Sequence, residues 1–286
     1  MSPLIEPEVL ATLLNDPRVI IIDCRFTLGQ ADADFGYKCY LQGHIPSARY
    51  LDLEKDLSAP VIAGKTSRHP LPTSGDFAQL LQKLGVCSDS HVVVYDDGGH
   101  AMAARAWWQL RWIGVEKVQV LHGGVKSWLG GKYPSTTEKP EINPSQFKAN
   151  PQNQMLVTAQ QVEDQLKNSV FQLVDARAHE RFAGEVEPLD NRAGHIPGAI
   201  CRPFLENMDE SGSFLSPEQL KQAFSNLSDS GLEMVHYCGS GVTACHNILA
   251  MEYAGIKNTK LYAGSWSEWI TVTSRPIAKG DAVTGD

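Results

Sequence analysis

The sequence predicts an α/β protein made of two tandem domains, each a mostly parallel sheet with helices on both faces. Three observations carry this. Short apolar runs rich in β-branched residues, such as Val92-Val93-Val94, alternate with helical segments, as parallel strands joined by crossover helices do. The landmarks of the first half return in the second half in the same order. A polar stretch with Pro134, Pro140, Pro144 and Pro151 separates the two halves and reads as a surface linker.

The repeated elements run as follows. An apolar strand ending in acid-x-Arg occurs as Val19–Arg25 and again as Phe171–Arg177. Gly43-His44-Ile45-Pro46-Ser47-Ala48 is echoed by Gly194-His195-Ile196-Pro197-Gly198-Ala199. Helical stretches follow near Ser74–Leu84 and Ser216–Leu227, each opening on good caps: Ser74 with Asp76, and Ser216-Pro217-Glu218. A second strand comes next, His91–Tyr95 against Glu233–Tyr237, and each half closes on a Gly-to-Trp turn, Gly123 to Trp128 and Gly264 to Trp269. The repeat is too long for a solenoid and reads as a duplicated domain. We place the first domain at residues 1–133, the linker at 134–153, the second domain at 154–278 and a flexible tail at 279–286.

Composition narrows the function. The 286 residues are 42% hydrophobic and 20% charged, a globular balance with room for two cores. A net charge of −8 argues against a non-specific nucleic-acid binder. No apolar run is long enough to span a membrane, and Met1–Glu6 lacks the pattern of a secretory leader. Cysteines at 24, 39, 87, 201, 238 and 245 form no CxxC pair and no zinc-ligand spacing, which suits reduced thiols in a cytoplasm and no metal. No cofactor is implied, because neither a Gly-x-Gly-x-x-Gly after a strand nor a phosphate-binding Gly-rich loop occurs.

The most informative string is His236-Tyr237-Cys238-Gly239-Ser240-Gly241-Val242-Thr243-Ala244-Cys245. It reads as a buried strand ending in a cysteine, then a glycine-bearing loop, then a helix. Inward-turned amides and a helix N-terminus beneath the sulfur favour thiolate over thiol, which makes Cys238 a candidate nucleophile. Its place past the carboxyl end of a parallel strand is where α/β folds bind ligands. Aligning the repeats on Tyr95 and Tyr237 sets Asp96 opposite Cys238. An aspartate is no sulfur nucleophile, and Asp96 with Asp97 would repel an anion, so the first domain should be chemically silent.

These residues resemble the rhodanese family, and within it the tandem-domain sulfurtransferases. The resemblance spans roughly residues 8–277. It rests on the duplication, Gly-His-Ile-Pro-x-Ala in both halves, the Cys-x-x-Gly-x-Thr loop and the closing Gly264-Ser265-Trp266-Ser267-Glu268-Trp269. It implies two rhodanese-like domains and sulfane-sulfur transfer through a persulfide on Cys238. The amides of Gly239, Ser240, Gly241, Val242 and Thr243 would cradle that anion. Thr243 either donates its hydroxyl to the sulfur or caps the helix, and Cys245 reads as core rather than a resolving thiol. Acceptors would be cyanide, a small thiol or a thioredoxin-like protein.

The family resemblance also bears on the donor. Thiosulfate-using members carry cations in the loop after the cysteine, which suits a dianion; 3-mercaptopyruvate-using members resemble the Gly239-Ser240 pattern here. The resemblance assigns Arg181 to the anionic donor, the alternative being a surface ion pair with Glu180 or Glu185. A second family arginine is replaced by Leu189, and Arg192 stands nearby as its substitute. Ser240 would relay a proton as pyruvate enolate leaves, paired with His69 and the acid Glu54 from the first repeat. Plainer roles are a loop hydroxyl for Ser240 and an exposed loop histidine for His69. His44 and His195 read as structural, Asp175 with Arg177 as a pair positioning the loop, and Trp266 and Trp269 as pocket wall or core. Thiosulfate:cyanide transfer is the alternative activity, and a non-catalytic sulfur-carrier or binding module a further one. A cysteine phosphatase is disfavoured, because Ala244 stands where its Cys-x5-Arg loop needs arginine.

Overall fold

The computed structural model describes residues 1–29, 32–228, 231–257 and 259–280. Of the expected tail, residues 281–286 lie outside the described residues. The chain forms two compact units. Residues 1–59, 71–153 and 210–214 make the first; residues 60–70, 154–209 and those from 215 onward make the second.

The first unit runs β1 (Leu4–Ile5), α1 (Pro7–Leu13), β2 (Val19–Asp23), α2 (Phe35–Gln42), β3 (Arg49–Tyr50), α3 (Ser74–Lys83), β4 (His91–Tyr95), α4 (Ala101–Trp112), β5 (Lys117–Leu121) and α5 (Gly124–Gly130). Its five strands are all parallel in the order β1-β5-β4-β2-β3, with Ile22 opposite Val94. Strand residues are buried on both faces, which is why Val19–Asp23 and His91–Tyr95 read as continuous apolar runs rather than alternating ones. Residues 134–153 run along this unit: Phe147 is buried, and Asn150 N–H donates to Ile113 O at 2.9 Å.

The second unit runs α6 (Ala159–Asn168), β6 (Phe171–Asp175), α7 (His179–Ala183), β7 (Ile200–Cys201), α8 (Pro217–Ser228), β8 (Glu233–Tyr237), α9 (Ala244–Tyr253), β9 (Thr259–Leu261) and α10 (Ser265–Trp269). Its four strands are parallel in the order β7-β6-β8-β9, with Leu173 opposite Val235. Thr158 and Gln161 close a reciprocal capping box at the start of α6. The core includes Phe171, Leu173, Phe182, Ile196, Val235, Trp266 and Trp269.

The repeated motifs do the same work in both units. Asp23 takes Arg25 Nη2 at 2.6 Å, and that arginine donates to Gly43 O at 2.7 Å. Asp175 takes Arg177 Nη2 at 2.6 Å, and Arg177 donates to Gly194 O at 2.7 Å. Tyr95 and Tyr237 accept the N–H of Ile45 and Ile196 on their hydroxyls. His44 Nδ1 bonds Tyr40 O and His195 Nδ1 bonds Phe182 O, both at 2.8 Å, so these histidines tie the Gly-His-Ile-Pro turn down. Among the described residues no helix is long and apolar enough to cross a membrane.

His236 lies inside β8 with both ring nitrogens buried and without hydrogen-bond partners among the described residues. Burial holds the ring neutral and pushes its pKa from 6.5 down to about 3. A histidine depressed in the folded state contributes stability above its unfolded value. That contribution drains away as pH falls from 6.5 toward about 3. Substituting His236→Leu, similar in volume, is expected to flatten this limb. Urea midpoints of wild type and variant should diverge on acidification, by an amount on the order of several kcal/mol at the acid end. Parallel pH profiles would refute the assignment.

Candidate active site

The site grows from the end of β8. Backbone groups of α10 grip the loop from outside: Trp266 N–H donates to Cys238 O and Ser267 N–H to Gly239 O, both at 2.9 Å. Ser265 sits at φ +54° and reaches back, its Oγ accepting from Cys238 N–H at 3.1 Å and donating to Tyr262 O at 3.0 Å. Two loop carbonyls are thus engaged by α10, which fixes the loop through its backbone. Gly241 makes the turn at φ +79°, where a Cβ would lie 2.4 Å from Ala263 O.

Cys238 is buried, only 2% exposed, and its Sγ accepts Gly241 N–H at 3.2 Å. The N–H groups of Gly239, Ser240, Val242 and Thr243 have no acceptor among the described residues. Backbone N–H groups without a protein acceptor are donors that an anion can use. The first unit shows the same loop filled. Asp96 carboxylate accepts Gly98 and His100 N–H on Oδ1 at 2.9 and 3.0 Å, and Met102 and Ala103 N–H on Oδ2 at 3.1 Å. Burial pushes Asp96 up to about 6, with the amide bonds pulling the other way.

Charge surrounds the loop. A Cβ at Gly239 would lie 2.7 Å from Arg68 Nη2 and 3.6 Å from both terminal nitrogens of Arg181. Arg181 pairs with Glu187 at 2.6 Å and Asp190 at 3.4 Å, not with Glu180 or Glu185. Arg68 also pairs with Asp190. Glu187 in turn takes Arg177 at 3.2 Å, which links the whole set to Asp175. Ser240 is buried, with its Oγ 2.7 Å from Nδ1 of buried His69. His69 belongs with the second unit, because residues 60–70 pack there.

Three sequence-derived positions differ. Glu54, expected as an acid partner, lies in the first unit; its carboxylate is exposed and makes no hydrogen bond or ion pair among the described residues. The turn instead uses Asp52, whose carboxylate caps the N–H of Glu54 and Lys55, and points Glu54 outward. Thr243 neither bonds the sulfur nor caps α9 through its side chain, because its φ of −70° and ψ of −17° already continue the helix. Arg192 is not among the atoms nearest Gly239; it lines a neighbouring groove with Arg68, Asp190 and Ser267, and its carbonyl accepts Trp266 Nε1 at 2.9 Å. Arg68 went unrecognised in the sequence, although it directly precedes His69. Cys245 is core, its thiol donating to Gly241 O at 3.4 Å, and Trp266 and Trp269 are fully buried.

Rhodanese-like domain models match residues 6–130 and 158–271. The chain is 48% identical over 283 residues to a probable 3-mercaptopyruvate sulfurtransferase of Pseudomonas aeruginosa, covering 98% of this chain and 99% of that one. It is 38% identical over 240 residues to thiosulfate sulfurtransferase of Bos taurus, covering 81% and 79%. Among solved structures, SseA from Escherichia coli, described among 3-mercaptopyruvate sulfotransferases, superposes with a TM-score of 0.83 at 34% identity, covering 94% of this chain and all of that one. With the model matched twice and such relatives aligned nearly end to end, the chain belongs to the rhodanese family as a tandem-domain sulfurtransferase.

Proposed function

We propose that the protein moves a sulfane sulfur from 3-mercaptopyruvate through a persulfide on Cys238 to a thiophilic acceptor. The pairing of Ser240 with His69 beside the loop carries the donor choice. A dianionic donor needs cations and no proton; a mercaptopyruvate donor must have its leaving carbanion protonated. Cys238 thiolate attacks the donor sulfur, the C–S bond breaks and an S–S bond forms. The departing pyruvate enolate takes the proton that the donor thiol brought, relayed through Ser240 Oγ and His69. The products are pyruvate and the Cys238 persulfide anion. The open amides of Gly239, Ser240, Val242 and Thr243, with Gly241, receive that charge. Arg181 binds the donor's anionic end, a role that its closeness to Gly239 supports. Cyanide or a thiolate then attacks the outer sulfur, leaving as thiocyanate or a persulfide and restoring Cys238 thiolate.

The first unit has no such reaction, because Asp96 already fills its amide cradle with a carboxylate. The reaction suits a reducing cytoplasm, because each cycle must return Cys238 to its thiolate. The test compares kcat/KM for 3-mercaptopyruvate and thiosulfate, with cyanide as acceptor. Mercaptopyruvate should be favoured by at least about tenfold, and Ser240→Ala should lower that efficiency by about 10²-fold while sparing thiosulfate. A thiosulfate preference in the wild type would overturn the donor assignment.

A further inference from the structure

Within the second unit a groove of about 500 Å³ opens beside the cysteine loop. Ser267 lines it and also donates its N–H to Gly239 O at 2.9 Å, so the groove borders the residue next to Cys238. A space of this size takes a drug-sized molecule. Cyanide or a three-carbon acid leaves most of it unfilled.

Two features of its lining have no part in loading Cys238. The first is Arg192. Its carbonyl accepts Trp266 Nε1 at 2.9 Å, which fixes the backbone, but its Nη1 is buried and has no hydrogen-bond partner among the described residues. A buried guanidinium N–H without an acceptor is costly, and a carboxylate is the acceptor that matches its geometry. Asp190, which also lines the groove, does not supply it, because its carboxylate is taken by Arg68 and Arg181. The second feature is apolar. Val61 and Leu189 are 58% and 59% exposed, and Ile270 lies with them along the groove. Single exposed apolar side chains are ordinary on a protein surface; two large ones on the wall of one groove beside a nucleophile mark a surface that a ligand covers. The ligand that satisfies both features carries a carboxylate on an apolar body. Mercaptopyruvate lacks the body, and cyanide lacks the carboxylate as well.

We propose that this groove seats the sulfur acceptor, and that the acceptor is a short peptidyl thiol with a free carboxylate and an apolar side chain beside its cysteine. Arg192 binds the carboxylate; Val61, Leu189 and Ile270 take the apolar side chain. The acceptor sulfur attacks the outer sulfur of the Cys238 persulfide. A new S–S bond forms as the Cys238 S–S bond breaks, its electron pair returns to Sγ as thiolate, and the acceptor's proton leaves with the product persulfide. No oxidant or reductant is consumed. This rests on the sulfurtransferase reading and adds the acceptor's chemical class to it.

The test preloads the persulfide and follows its single-turnover discharge by N-acetyl-Cys-Leu, by the same peptide with its carboxylate amidated, and by cyanide, in wild type, Arg192→Gln, Arg192→Lys and Leu189→Ser. In wild type the acid is expected to half-saturate at a concentration about 10- to 100-fold lower than the amide, the range for a hydrogen bond to a charged group. Arg192→Gln should erase that gap by weakening the acid alone, and Arg192→Lys, which keeps the charge without the fork, should restore part of it. Leu189→Ser should weaken both peptides alike. Donor KM and discharge by cyanide should stay within about twofold in all three variants. The proposal falls if acid and amide discharge wild type equally well. It falls also if Arg192→Gln slows cyanide as much as the acid, which marks a structural role, or if it raises donor KM, which gives Arg192 to the donor. Titration calorimetry with N-acetyl-Ala-Leu, which has no thiol, separates the two readings. If no donor loads Cys238, the sulfurtransferase reading fails, while binding of this peptide to wild type and not to Arg192→Gln still places a peptide carboxylate in the groove. No binding to wild type overturns the groove itself.

Discussion

Cys238→Ser is expected to remain folded and to lose turnover by at least about 10⁴-fold, the scale seen when an enzyme loses its nucleophile. The reason is chemical rather than steric. A hydroxyl fits the same volume and accepts the Gly241 N–H that now meets Sγ at 3.2 Å. The bonds that fix the residue to Ser265 and Trp266 run through its backbone, so the loop keeps its shape. What is lost is a soft atom able to hold a second sulfur. Intact-mass measurement after incubation with donor should show an adduct of about 32 Da on wild type, removed by cyanide, and none on the variant. A cyanide-labile adduct persisting in Cys238→Ser would move the chemistry to another of the six cysteines.

The first repeat shows how much of this was readable in advance. The Asp96-for-Cys238 exchange is plain in the aligned sequences, and so is its consequence, a silent domain. The physical reason differs from simple repulsion of anions. Asp96 carboxylate takes four amides, and two of their counterparts in the second unit, Ser240 and Val242 N–H, have no acceptor among the described residues. Local patterns were legible throughout: acid-x-Arg, Gly-His-Ile-Pro-x-Ala and the strand–Cys–helix string each form their contacts within or between repeated elements. The charged shell was not. Arg68, Glu187 and Asp190 sit in loops without periodicity, and they meet only because residues 60–70 fold onto the second unit. Glu54 illustrates the opposite case. It is named only through the family resemblance, among the acids of Tyr50–Asp56, and short-range capping by Asp52 decides where that turn points its side chains.

Arg177→Met is expected to cost about 3–5 kcal/mol in the stability of the second unit, the range for breaking a buried ion pair from one side. Arg177 is 1% exposed between Asp175 and Glu187, themselves 0% and 3% exposed. Burial disfavours its charge, but attraction and hydrogen bonds from Asp175 more than offset this and raise its pKa. Methionine can lie along Trp266, over whose ring the guanidinium now sits at 4.8 Å, so packing is largely kept and the cost is electrostatic. Two carboxylates are left facing one apolar gap. Glu187 also loses a tether, and it is Glu187 that accepts the N–H of Leu189 and Asp190 and holds Arg181 beside the sulfur. The loss should therefore reach donor KM as well as the urea midpoint. Arg25→Met in the first unit supplies the comparison. Arg25 is 13% exposed and among the described residues forms an ion pair with Asp23 alone, whose Oδ2 still keeps the Tyr95 hydroxyl at 2.8 Å. Its removal leaves one carboxylate instead of two and should cost about half as much, without touching donor KM. Adding Glu187→Gln to Arg177→Met removes one stranded charge and should recover part of the lost stability but none of the lost donor affinity, because Arg181 then has no carboxylate there to hold it. Equal midpoints for Arg177→Met and wild type would mean that this buried charge set contributes nothing to the fold, and that the acid-x-Arg repeat is kept for the site alone.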